Sequence, residues 1–207
     1  WLHRRVGAAK ASLELLKHRA ADSRKNEDAR WPEFAEYRCY ACHRDLNPDW
    51  RGVKNEPGRP KGSFPYDSWY GALLPDLNKQ VGEGYAELTS LMANPLPDAD
   101  KVIRAADALL GKLDALRDVK EPELFGKLTE ATKEMPRSWE DAMQLTLALA
   151  ALKRKQLAES PDAVRPLRDM AKALSFPTPG GEGPKGFDFP ESLKAAQKAY
   201  EDFLKMK

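Results

Sequence analysis

Periodicity restricts the possible folds of this chain more than any other feature. Apolar residues recur at three- and four-residue steps along most of its length, and nowhere do they alternate convincingly with polar ones. The first spacing lines one face of a helix, and the missing one is the signature of a half-buried strand. Trp1 to Ala21 carries Leu2, Val6, Ala9, Leu13, Leu16 and Ala20 on one stripe. Asp98 is placed to cap a long helix through Val102, Ile103, Ala106, Leu109, Leu110, Leu113 and Leu116. Further helices are expected from Pro122 to Lys133, from Ser138 through Leu152, from Pro161 to Leu174 with Pro166 inside, and from Pro190 to Met206. Ser138 with Asp141 reads as a capping-box variant. The expected class is all-α, an antiparallel helical bundle with long irregular loops.

The punctuation supplies the remaining local expectations. Asp22 to Arg30 is a charged break, and Trp31-Pro32-Glu33 reads as a helix start running through Phe34 and Tyr37. Asn47 to Pro65 is a Gly-, Pro- and charge-rich loop, longer than an ordinary connection. Asp67-Ser68 is placed to cap a helix through Trp69, Leu73 and Leu77 that Pro75 interrupts or ends. Gly82-Glu83-Gly84 then separates it from a helix over Tyr85 to Ala93, and Asn94 to Asp98 is a stop. Phe176 to Phe187 reads as a linker. Two regions are expected: 1–97, and a helical region 98–207 of unassigned role, either separate or packed on the first.

With 207 residues the chain can bury a core without disulfides or metals. Its 34 basic and 32 acidic residues leave a net charge of +2, a balance that argues against nucleic acid as the main partner, since that usually needs a clustered basic face. No run of 18 apolar residues is present, so no membrane-spanning helix is expected. The opening residues read as the inside of a helix and lack a leader pattern, so a mature or truncated product is expected.

The two cysteines stand three residues apart in Cys39-Tyr40-Ala41-Cys42-His43. A disulfide across so small a loop stabilises little. C-x-x-C-H is the attachment pattern of a c-type haem. Each thiol adds to one vinyl group of the porphyrin, and the two-residue spacing turns both sulfurs to the same edge. His43 then offers an imidazole nitrogen to the iron as proximal ligand. Two other readings stand beside it. A thioredoxin-like pair wants a βαβ context, which is missing here. A zinc site wants four ligands, and adjacent Cys42 and His43 fit one tetrahedron awkwardly.

A carrier haem takes a second axial ligand, usually His or Met. His18 is the first candidate, with His3 and Met92 behind it. At 100° per residue His3 lies about 100° and His18 about 160° from Leu2, so neither is central in the apolar stripe. Both also suit a surface histidine, and Met92 suits a core methionine. Trp31, Phe34, Tyr37, Tyr40 and Trp50 cluster around the motif and are candidates to pack on the porphyrin or in an ordinary core. Arg38 and Arg44 are candidates to pair with haem propionates or to face solvent.

Trp31 to Leu46, Trp-Pro-Glu-Phe-Ala-Glu-Tyr-Arg-Cys-Tyr-Ala-Cys-His-Arg-Asp-Leu, resembles the last haem motif of multihaem c-type cytochromes related to the cytochrome c554 group. The likeness spans residues 1 to 80 or so, and Cys39, Cys42 and His43 carry over. It implies an electron carrier of the periplasm or cell surface. Those proteins carry several such motifs and this chain has one, so further haems are expected upstream or the chain is a reduced relative. The function expected is a c-type cytochrome with one covalent haem c, passing electrons to redox protein partners or other haem-bearing chains. The alternatives are a five-coordinate haem enzyme, with His18 or His3 as distal acid–base group, and a docking subunit of a larger redox complex. Covalent haem attachment of this kind implies a location outside the cytoplasm.

Overall fold

A computed structural model describes residues 1–26, 28–37, 64–66, 69–133, 139–154 and 161–173. Among them the chain is helical, with no strand and one isolated bridge, Tyr37 to Tyr66. The all-α expectation holds. The chain divides into two compact units, residues 3–117 and residues 118–207 with 1–2. The helix opened by Asp98 belongs to the first unit.

The first unit contains α1 (Leu2–Asp22), a 3-10 turn at Phe34–Glu36, α2 (Leu74–Leu77), α3 (Lys79–Met92) and α4 (Ala99–Leu113). The stripe read on α1 is the buried one: Val6, Ala9, Leu13, Leu16 and Ala20 are all closed to solvent. Leu74, Leu77, Val81, Leu88, Met92, Val102, Leu109, Leu113 and Leu116 complete the core. Asp98 caps α4 as expected, its Oδ1 accepting the Lys101 N–H at 3.1 Å. Asn78 caps α3, accepting from Gln80 and Val81 at 2.9 and 3.2 Å.

An ion-pair ladder sets the register of α1 against α4. Lys10 meets Asp114 at 2.6 Å, Lys17 meets Asp107 at 2.5 Å and Arg24 meets Asp100 at 2.6 Å. Cations ascend α1 and the turn after it in steps of seven while carboxylates descend α4 from its C-cap Asp114 by seven, which requires antiparallel helices. Seven residues bring a helix back to within about 20° of the same azimuth, so one edge of each helix carries all its partners.

Three local expectations are corrected. The helix expected from Trp31 into the cysteine motif is a single 3-10 turn. Its N-cap, Glu33, makes no capping bond, and Tyr37 is already extended to bridge Tyr66. Pro75 opens α2 instead of closing a helix, because its missing N–H falls in a first turn where no intrahelical partner exists. Leu73, before it, takes a left-handed φ of 68°. The Gly82-Glu83-Gly84 break is absent, and α3 runs through both glycines. The reason is close packing. A Cβ on Gly82 would lie 3.0 Å from the Pro75 carbonyl oxygen, and one on Gly84 would lie 2.9 Å from Leu109 Cδ1. The glycines let α2 and α4 approach α3.

The second unit contains α5 (Glu121–Lys133), α6 (Trp139–Leu152) and α7 (Pro161–Ala173). α6 packs on both α5 and α7. Leu124, Leu128, Ala142, Leu145, Ala148, Leu149 and Met170 are buried. Thr146 donates back to the Ala142 carbonyl at 2.9 Å, and its Oγ1 lies 4.0 Å from Met170 Sδ. Pro166 stands inside α7 as read. No helix among the described residues is long and apolar enough to cross a membrane. The Ser138 cap, the 176–187 linker and the helix over 190–206 lie outside the described residues.

Candidate functional site

Cys39, Tyr40, Cys42 and His43 lie outside the described residues, as do Arg38, Arg44 and Trp50. What is described is the neck from which their segment springs. Tyr37, which immediately precedes that segment, pairs with Tyr66 in an antiparallel bridge. Both tyrosines are buried, and burial pushes the Tyr37 hydroxyl up to about 12. Tyr37 stacks obliquely on Phe64, centroids 5.7 Å apart, and Phe34 meets Phe64 edge-on at 6.0 Å. Phe34 itself is 74% exposed.

Beside this neck runs a groove of about 390 Å³. Its floor is one face of α1, Ala8, Ala11, Ser12, Leu15 and Arg19, and its walls are Ala35, Glu36, Tyr66 and Tyr70. Those α1 residues follow i, i+3, i+4, i+7, i+11, a second face beside the buried stripe. Ala8 to Arg19 spans about 16 Å at 1.5 Å per residue. Most of the lining is apolar, and Leu15 and Tyr70 are about half exposed, at 49% and 47%. The volume is in the range of small-molecule sites, about 300–1,000 Å³.

Arg19 closes one end. Its Nη1 donates to Glu36 Oε1 at 2.6 Å and its Nε lies 3.4 Å from Glu33 Oε2. The bond to Glu36 holds the guanidinium pKa above its ordinary value. Glu36 is buried, and this pairing lets a carboxylate face inward there.

A second arginine, Arg5, lies three residues before Ala8 on the same helix. It is only 9% exposed. It donates through Nη2 to the Trp69 carbonyl, and its guanidinium carbon stands 5.9 Å from the Trp69 ring centroid. Its Nε is buried with no acceptor. Burial lowers its pKa, an effect that Tyr85 and Tyr70 oppose.

The other candidates are placed as follows. His3 and His18 are exposed. His18 lies at the rim of the groove face, three residues beyond Leu15 and seven beyond Ala11. Met92 is 1% exposed and belongs to the hydrophobic core of the first unit, not to the groove. Trp31 is half-buried and donates from Nε1 to the Pro97 carbonyl at 2.8 Å, so its indole is tied to the residue just before the Asp98 cap of α4. Tyr37 stands at the neck. No described residues form a cluster of three or more His, Cys, Asp or Glu suited to a metal. The sequence reading missed the groove and Arg5. The signal for the groove was there, in small residues on a second face of α1. No protein-family model, curated protein or solved structure matches the chain.

Proposed function

We propose that this chain is a c-type cytochrome segment that carries one haem c, bound through Cys39 and Cys42 with His43 on the iron, and that it transfers electrons. The observation that carries the reading is the C-x-x-C-H spacing itself. The groove supports it. Tyr37 precedes Cys39 by two residues, a reach of about 7 Å in extended chain. A macrocycle tethered there has a mostly apolar bed at hand in Ala8, Ala11, Leu15, Tyr66 and Tyr70. The haem supplies a one-electron iron couple. The protein's part is to exclude water from the ring with those side chains and to set the charge around it, which tunes the potential. Such a protein is matured outside the cytoplasm and works with redox protein partners.

The test is a visible spectrum of the chain matured with haem, oxidised and dithionite-reduced, with and without carbon monoxide. Sharp α and β bands on reduction, unmoved by carbon monoxide, are expected of a six-coordinate carrier. A large shift with carbon monoxide would favour an open-faced haem enzyme. Absence of a Soret band would refute the proposal. Cys39→Ser with Cys42→Ser should lose the covalent pigment under denaturing electrophoresis.

A further inference from the structure

We draw no further inference here: the strongest candidate, the mostly apolar groove between the second face of α1 and the turn at Phe34–Glu36, supports none, since nothing in the structure shows what covers it and its Arg19 is already paired with Glu33 and Glu36.

Discussion

Gly84 and Gly111 make a matched pair for testing what holds α3 against α4. Both are interior to helices, so replacing either by Ala gains the same propensity, about 0.8–1 kcal/mol. Their surroundings differ. A Cβ on Gly111 meets nothing within 4 Å, whereas one on Gly84 would lie 2.9 Å from Leu109 Cδ1, 3.5 Å from Lys112 Cδ and 3.6 Å from Leu109 Cβ. Leu109 is fully buried and has little room to yield. It must leave its rotamer or the helices must separate, which costs about 1–3 kcal/mol. Gly111→Ala should therefore stabilise by about 1 kcal/mol, while Gly84→Ala should range from neutral to about 2 kcal/mol destabilising. The propensity term cancels in the difference between variants, leaving the packing term. Urea unfolding monitored by circular dichroism measures it, since both positions belong to one compact unit. A Gly84→Ala protein as stable as Gly111→Ala would refute the claim that Gly84 sets the helix separation. Gly84→Ala with Leu109→Ala should shrink the difference, because the blocking methyl groups are gone.

The other expectations concern charged and buried polar groups. Lys17→Glu opposes Asp107 with a like charge and should lower the melting temperature, and Asp107→Lys in the same chain should restore most of the loss. Simple additivity of the two would rule out the antiparallel ladder. Asp98 and Asp114 are held below the usual carboxylate pKa of 3.8, Asp98 first by the Lys101 N–H and Asp114 first by the Lys10 ammonium. A depressed folded pKa contributes stability above the unfolded value and loses it as pH falls through the folded one. Melting of the first unit should thus decline as pH drops below 3.8, and Asp98→Ala with Asp114→Asn should flatten that limb in a pH series of thermal melts. Arg19→Met strips the buried Glu36 of its guanidinium and should destabilise by about 3 kcal/mol in the same urea assay, with Arg19→Lys recovering part. Gln144, 2% exposed with Oε1 unpartnered, should gain about 1 kcal/mol on replacement by Met.

What the sequence determined by itself is whatever depends on neighbours along the chain. The α1 stripe, the Asp98 cap and Pro166 within its helix are local, because an apolar period or a capping oxygen acts over a few residues. The proposed haem attachment at C-x-x-C-H likewise rests on spacing along the chain alone. The tertiary structure decided everything whose cause is a distant residue. Gly82 and Gly84 resemble breakers until Pro75 and Leu109 are seen against them. Glu36 turns inward because Arg19 on α1 receives it. Lys10, Lys17 and Arg24 read as ordinary surface charges until Asp114, Asp107 and Asp100 are found opposite. Arg5 gives no local sign of burial, since Trp69, Tyr70 and Tyr85, which act on it, all come from far along the chain. A side chain's propensity is written in its own chemistry, but its solvation and its partners are fixed only when remote segments meet.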